Sequence, residues 1–135
     1  MLEQNKAIVR RYRFEIANEG KLDVADEIFA PTITFNGQNV TLDSFLQIVQ
    51  MWRSAFPDVE YTLDDLIAED DRVMERWTGK GTHKGELFGI PPTGKKITGT
   101  GIGIHHVVDG KIVELVEITD GLGLLQQLGV VPSIG

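Results

Sequence analysis

The sequence has no cysteine among its 135 residues and only three histidines. The lack of cysteine excludes disulfides and thiolate sites. The histidines do not have the HExxH spacing of a zinc site, so we expect no bound metal. Lysine and arginine together number 13, against 20 aspartates and glutamates, which gives a net charge of −7. This balance argues against nucleic-acid binding, because phosphates require a basic surface.

Long hydrophobic runs are also missing. No apolar stretch approaches the roughly 18 residues of a membrane span. The first residues, MLEQNKAIVRRYRF, lack the apolar core of a signal peptide. We therefore expect a cytoplasmic protein with no membrane partner. The 41% hydrophobic and 24% charged content is typical of a globular protein, and the length predicts one domain, residues 1–135.

The first part of the chain has helical patterns. Val9, Tyr12 and Ile16 recur at helical spacing before Asn-Glu-Gly at 18–20, which predicts a first helix ending there. Asp23 is a candidate N-cap for a short second helix that buries apolar residues and stops at a proline. A third helix is predicted to begin at Thr41, because apolar residues follow it at steps of three and four.

The remaining patterns predict strands. A short strand is expected at 32–35, and four longer ones at 59–69, 72–82, 96–108 and 111–119. Asp109-Gly110, between the last two, is a strong two-residue hairpin signal. The order of elements predicts an α+β fold in which three N-terminal helices pack on one face of a curved, mainly antiparallel sheet, followed by a short C-terminal helix.

The predicted final hairpin assigns side chains to the two faces of the sheet. Counting outward from Asp109-Gly110 predicts the pairs His105–Glu114, Gly103–Val116, Gly101–Ile118 and Gly99–Asp120. Directly opposed residues share a face. One face would then carry His105, Asp120 and three alternate glycines, whose missing side chains leave room for a cavity. Such glycines also occur where a sheet bends or a backbone approaches closely, so both interpretations stay open.

Asp120 has two possible roles at the start of the last helix. Aspartate is among the best N-caps, so a purely structural role is one interpretation. A catalytic role is the other interpretation. A carboxylate that projects into an apolar cavity is desolvated, and desolvation raises the pKa of carboxyl groups toward values useful for proton transfer. His105 and His83 are candidate catalytic residues of the same kind, although a lone histidine is more often a hydrogen-bonded structural residue.

Several motifs in this order resemble the SnoaL-like polyketide cyclase (ester cyclase) family of the nuclear transport factor 2-like superfamily. They lie in the run AFPDVEYTLDDLIAEDDRVMERWTGKGTHKGELFGIPPTGKKI and in the later DGKIVELVEITDGLGLLQQLG. The motifs include Phe-Pro-Asp, Gly-Thr-His-x-Gly, Pro-Pro-Thr-Gly-Lys and a late Asp before a Gln-Leu-Gly helix. The resemblance covers essentially the whole chain and implies a cone of three helices closing over a strongly curved sheet.

The resemblance also implies an activity, namely ring closure of a polyketide by intramolecular aldol condensation without a cofactor. The family's carboxylate removes a proton alpha to a carbonyl, and Asp120 stands at the matching position. A pocket histidine often accompanies it, so His105, or His106 if a bulge intervenes, becomes the expected partner. His83 matches the Gly-Thr-His motif. The implied substrate is a small hydrophobic carbonyl compound.

Six residues are expected to contact that substrate. They are Trp52, Trp77, Gly101, Gly103, Val116 and Ile118. Tryptophan on an apolar face is, however, usually part of the core. Val116 departs from the family, whose members often carry tryptophan four residues before the late Asp, and this makes an aromatic polyketide substrate doubtful.

Other functions on the same cone are alternatives. A ketosteroid isomerase-like reaction would need a tyrosine or acid donating to an oxyanion, and Tyr12 and Tyr61 are the two tyrosines available. An epoxide hydrolase-like reaction and a non-catalytic small-ligand binding module remain possible too, because one fold hosts unrelated functions.

The predicted outer sheet face suggests self-association. It carries Ile102, Ile104, His106, Val113 and Leu115, while the helices cover the opposite face. An apolar patch of this size is unusual on a monomer. We therefore expect a homodimer formed through this face, as the resemblance also implies.

Overall fold

A computed structural model describes residues 1–132 of the chain. Helix α1 spans Leu2–Arg11 and continues as a π-helical segment, Tyr12–Asn18; a 3₁₀ turn, Leu22–Val24, leads into α2, Ala25–Ile28. Strands β1 (Phe29–Phe35) and β2 (Gln38–Thr41) precede α3 (Leu42–Ala55). The remaining elements are β3 (Glu60–Glu69), β4 (Arg72–Thr82), β5 (Lys96–Val108), β6 (Lys111–Thr119) and α4 (Gly121–Leu128). The predicted α+β architecture is confirmed, and the four long strands lie where the sequence indicated.

The first helix buries the predicted stripe. Val9, Tyr12 and Ile16 are all buried, and the helix turns back after Asn18 through Gly20, whose φ of +71° suits a residue without a Cβ. Thr41 caps α3 as predicted, because its hydroxyl accepts a hydrogen bond from the Ser44 amide at 3.1 Å. The predicted cap at Asp23 is wrong, since Asp23 lies inside the 3₁₀ turn and caps neither short helix.

The six strands form one sheet in the order β2-β1-β6-β5-β4-β3. All neighbours are antiparallel except β1 and β6, which run parallel. The short strand expected at 32–35 is part of β1. The β1–β2 hairpin was not predicted, although its Asn36-Gly37 turn is a strong hairpin signal, because β2 has only four residues and leads directly into α3. The helices cover the concave face, where a core centred on Phe29, Phe45, Ile112 and Leu115 forms.

The final hairpin departs from the predicted register. Its turn is at Asp109-Gly110, and Val108 faces Lys111 as expected, but Val113 is an extra unpaired residue in β6. This β-bulge shifts every later pair by one. The observed pairs are His106–Glu114, His105–Leu115, Ile104–Val116, Gly103–Glu117, Ile102–Ile118 and Gly101–Thr119.

The bulge decides which β6 side chains face the helices. Leu115 and Glu117 lie on the concave side, whereas Val116 and Ile118 lie on the outer face, 39% and 71% exposed. Leu115 is therefore wrongly predicted to be on the outer face. Within residues 1–132, no helix is long and apolar enough to cross a membrane.

Candidate active site

A cavity of about 440 Å³ lies between α3, the π-helical segment and the concave face of the sheet. Its wall is mainly apolar and aromatic. The residues used below are Tyr12, Arg13, Trp52, Phe56, Tyr61, Trp77, Phe88, Gly99, Glu117, Thr119 and Leu124. A small organic molecule could be enclosed here, because ligand sites are typically concave, apolar and equipped with a few polar groups.

One part of the wall is formed by aromatic residues near solvent. Trp52 stacks on Phe56 with ring centroids 6.4 Å apart, and Phe88 meets the Trp52 ring edge-on at 5.6 Å. Phe88 is 67% exposed and has a φ of +49°. Trp52 thus lies in the cavity wall, as expected from the sequence, and its contact with a substrate stays a prediction.

The other part of the wall contains buried charges. The Arg13 guanidinium donates from Nε to Glu75 Oε1 at 2.8 Å and from Nη2 to Glu117 Oε1 at 2.9 Å. The central carbon of the guanidinium, Cζ, lies 4.7 Å from the centre of the Tyr61 ring and 5.1 Å from that of the Trp77 ring. These contacts compensate the loss of water around the cation, because a buried charge is tolerated only when it is paired and hydrogen-bonded.

The charge cluster alters the protonation of its members. Burial by itself would raise the pKa of Glu75, but the charge of Arg13 and the hydrogen bond from His105 outweigh it and lower the pKa to about 2. Burial would lower the pKa of Arg13, but Glu75 and the rest of the cluster raise it well above its usual value. Burial raises the pKa of Tyr12, so its phenol stays protonated near neutral pH.

His105 faces inward, but it does not line the cavity. It is fully buried, its Nε2 is hydrogen-bonded to Glu75 Oε2, and its ring lies 5.6 Å from that of Tyr12. Within the part of the chain that the structure describes, its Nδ1 has no partner. The bulge lies in β6 and not in β5, so His106 points outward and meets Asp71 at 2.6 Å. His105 therefore supports Glu75, behind the residues that line the cavity.

His83 also lies outside the cavity wall. It is fully buried against Phe56, and its Nδ1 accepts a hydrogen bond from the Thr93 amide at 3.2 Å. This contact ties the end of β4 to the loop that leads to β5. His83 therefore does not line the cavity, and its catalytic role stays a prediction.

Asp120 acts as a helix cap. Its Oδ1 accepts a hydrogen bond from the Gly123 amide at 2.9 Å, at the N-terminus of α4, and the residue is exposed. Asp120 stands at the margin of the cavity, because the preceding Thr119 and the later Leu124 both line it. The predicted pairing with Gly99 is wrong, since the Asp120 amide donates to the Thr100 carbonyl.

The remaining predicted contact residues are distributed unevenly. Trp77 lines the cavity, whereas Val116 and Ile118 lie on the outer face, so their predicted place in the site is wrong. The space beside Gly101 is filled by the Trp77 indole, and that beside Gly103 by Glu75 and Leu115. These two glycines make room for neighbouring side chains, and of the three alternate glycines Gly99 is the one that lines the cavity.

Three charged residues of the site were not predicted from the sequence. Arg13 lies four residues after Val9 on the buried stripe of the first helix. On β4, Glu75 lies on the same buried face as Val73 and Trp77. Glu117 shares the concave face with Leu115. A charge at a position reserved for core residues is the signal that could have revealed Arg13 and Glu75.

Comparison with known proteins shows which family the chain belongs to. Residues 6–128 match the sequence profile of the SnoaL-like polyketide cyclases. The chain belongs to this family. It is 32% identical over 134 residues to the aklanonic acid methyl ester cyclase AcmA of Streptomyces galilaeus, covering 95% of this chain and 92% of that protein. It is 30% identical over 124 residues to the nogalonic acid methyl ester cyclase of Streptomyces nogalater, covering 83% and 88%.

A solved structure agrees with the family assignment. IdmH from Streptomyces antibioticus superposes with a TM-score of 0.83 at 30% identity, covering 94% of this chain and 99% of that one. The SnoaL-like fold and the resemblance stated from the motifs are both confirmed. The described residues contain no group of three histidine, aspartate or glutamate side chains arranged to hold a metal ion.

Proposed function

We propose that this SnoaL-like protein is a cofactor-independent acid–base enzyme that closes a ring in a small hydrophobic carbonyl compound. A base removes a proton alpha to one carbonyl, and the resulting enolate carbon forms a bond with a second carbonyl carbon of the same molecule. The alkoxide then takes up a proton to become a hydroxyl, so no atoms are lost and nothing is oxidised. The observation that carries the proposal is the apolar cavity with a few ionisable groups in its wall.

Asp120 is the base in this proposal. Glu117 is the alternative, since its Oε1 accepts from Arg13 and Trp77 while its other carboxylate oxygen accepts no hydrogen bond from the described residues. Asp120 accepts one amide hydrogen bond and stands next to the cavity-lining Thr119. In this role Asp120 would turn toward a bound substrate, while His105 would be a positioning residue that acts through Glu75.

The test uses the substrates that give the relatives their names. Aklanonic acid and nogalonic acid methyl esters are incubated with the purified protein, and the cyclised isomer is separated by chromatography. If Asp120 is the base, Asp120→Asn should reduce turnover by roughly 10²–10⁴-fold, the typical contribution of one positioned acid–base group. Asparagine caps helices about as well as aspartate, so the fold should be preserved.

Matched variants distinguish Asp120 from Glu117 as the base. Glu114→Gln changes a β6 carboxylate that pairs with Arg72 away from the cavity, and it should leave turnover unchanged. Near-normal turnover by a folded Asp120→Asn protein, with loss in Glu117→Gln, would transfer the base role to Glu117. Binding of either ester by the wild-type protein without cyclisation would favour the ligand-binding alternative.

A second reaction is favoured by one observation. Tyr12 and Tyr61 both line the cavity beside Arg13, and burial raises the pKa of each phenol. A protonated phenol can donate to an oxyanion, as an isomerase of the ketosteroid type requires. Conversion of a β,γ-unsaturated ketone to its conjugated isomer, lost in Tyr12→Phe, would support this reaction. Unchanged turnover in Tyr12→Phe would exclude a role for this phenol.

A further inference from the structure

Glu117 carries the one carboxylate in the cavity wall among the residues that the structure describes. Both hydrogen bonds to this carboxylate end on the same oxygen: Arg13 Nη2 lies 2.9 Å from Oε1, and Trp77 Nε1 lies 3.2 Å from it. The backbone is held as well, because the Glu117 amide donates to Asn36 Oδ1 at 2.8 Å. The carboxylate is therefore fixed in position before any ligand arrives.

The second oxygen, Oε2, accepts no hydrogen bond from residues 1–132. The Glu117 side chain is only 18% exposed and lines the cavity. Oε2 is not one of the buried, unpartnered polar atoms of the described residues, so solvent reaches it, and a ligand that displaces this water must replace its hydrogen bond. A ligand that brings a hydrogen-bond donor to Oε2 would be selected over one that does not.

The surroundings favour a neutral donor over a cation. The Arg13 guanidinium already occupies the faces of the neighbouring aromatic rings, 4.9 Å from the Tyr12 centroid and 4.7 Å from that of Tyr61. An ammonium group would have to give up its strong hydration in a mainly apolar cavity in order to reach a carboxylate that Arg13 already pairs with. A hydroxyl group has no such penalty, and the mainly apolar wall suits the hydrocarbon part of the same molecule.

We propose that Glu117 determines specificity by accepting a hydrogen bond at Oε2 from a hydroxyl group of an otherwise apolar, ring-containing ligand. This inference rests on the proposed function, since it names the class of substrate, a hydroxylated carbonyl compound, that the cavity would bind. It assigns no proton transfer to Glu117. The hydroxyl stays protonated, and its contact with Glu117 orients the molecule within the cavity.

The test measures binding of three probes that share a naphthalene ring and differ in one group. They are 2-naphthalenemethanol, 2-methylnaphthalene and 2-naphthylmethylammonium, titrated while the tryptophan fluorescence is recorded. The wild-type protein should bind the alcohol roughly tenfold or more tightly than the hydrocarbon, as expected for a hydrogen bond to a charged group. Glu117→Gln should reduce this preference to about threefold or less and leave the affinity for the hydrocarbon unchanged.

Two further variants make the outcome decisive. Glu114→Gln, which alters a carboxylate outside the cavity, should keep the full preference for the alcohol. Glu117→Asp keeps the charge opposite Arg13 but withdraws the oxygen, so it should lose the preference even if the glutamine variant folds poorly. Equal affinities in the wild-type protein, tighter binding of the ammonium probe, or an unchanged preference in a folded Glu117→Asp protein would each overturn the proposal. None of these measurements uses turnover, so the ring-closure proposal stands or fails separately.

Discussion

The two faces of the β5–β6 hairpin differ in where they carry ionisable and exposed aliphatic side chains. The concave face, under the helices, holds His105 and Glu117 together with Glu75 from the neighbouring strand. The outer face holds Ile102, Ile104, Val116 and Ile118, which are 39–71% exposed. Ionisable groups are thus buried beside core residues such as Ile112 and Leu115, while large aliphatic residues are exposed on the other face of the same hairpin.

The difference shows what each face requires. Inside, the buried charges are matched by charges of opposite sign, because an unpaired buried charge would cost several kcal/mol; the pairs Arg13–Glu75 and Arg13–Glu117 meet this requirement. Outside, the aliphatic residues pair with one another across the strands, Ile102 with Ile118 and Ile104 with Val116, but they stay partly exposed in the described chain. We propose that a second copy covers this face, since contiguous apolar patches on soluble proteins commonly mark interaction sites.

The largest effect is expected from removing the charge at the centre of the inner face. Arg13→Met keeps much of the side-chain volume but leaves Glu75 and Glu117 without their cation. Breaking a buried ion pair in this way typically lowers the free energy of unfolding by about 3–5 kcal/mol. Urea denaturation followed by circular dichroism measures the change.

The control for this variant is Arg11→Met, two residues away on the same helix. Arg11 pairs with Glu15 and Glu27 near the surface, where such pairs contribute at most about 1 kcal/mol. Equal losses in the two variants would contradict the claim that the inner charges depend on each other.

The second-largest effect is expected from acid, which should lower the free energy of unfolding by protonating the charge cluster on the inner face. The pKa of Glu75 is lowered to about 2 in the folded protein from an ordinary value of 4.5. A lowered pKa stabilises the fold above the unfolded value, and this contribution is lost as the pH falls from about 4.5 toward 2. Because a tenfold change in an acid dissociation constant corresponds to roughly 1.4 kcal/mol, the free energy of unfolding should fall by about 3 kcal/mol over this range.

The comparison variant for the acid effect is Glu75→Gln, which cannot titrate. It should be less stable than the wild-type protein at pH 7, and the difference between the two should shrink as the pH falls below about 4.5. Other carboxylates with lowered pKa values, such as Asp58 and Asp71, affect both proteins alike. A constant difference from pH 7 to pH 2 would show that the pKa of Glu75 is not lowered by folding.

The smallest effect on the single chain is expected at the outer face. Ile102 and Ile118 are directly paired, so Ile102→Lys with Ile118→Glu replaces an aliphatic pair by opposite charges exposed to solvent. The monomer should change stability by only about 0.5 kcal/mol, typical of surface substitutions, while a dimer formed through this face should dissociate. Light scattering at micromolar concentration that gives the mass of one chain for the wild-type protein would exclude the dimer.

Much of the architecture could be predicted from local patterns. The four long strands, the start of α3 at Thr41 and the hairpin turn at Asp109-Gly110 lie where periodicity and turn chemistry indicated. The candidate site could be predicted only in part. Trp52 and Trp77 lie in the cavity wall, but the inward residues of β6 are Leu115 and Glu117, because the bulge at Val113 reversed the alternation that the turn alone implied.

The sequence by itself determined the elements and the family, because helix caps, turn residues and hydrophobic periods act between residues close in the chain. The tertiary structure decided the site. Parallel pairing with β1, in which Leu115 lies opposite Phe35, sets the register of β6 beyond the bulge. The same packing brings Arg13 from the first helix against Glu75, 62 positions later. The bulge has no local signature. A charge at a core position marks Arg13 and Glu75 singly, but their pairing depends on contacts between segments that are distant in the sequence.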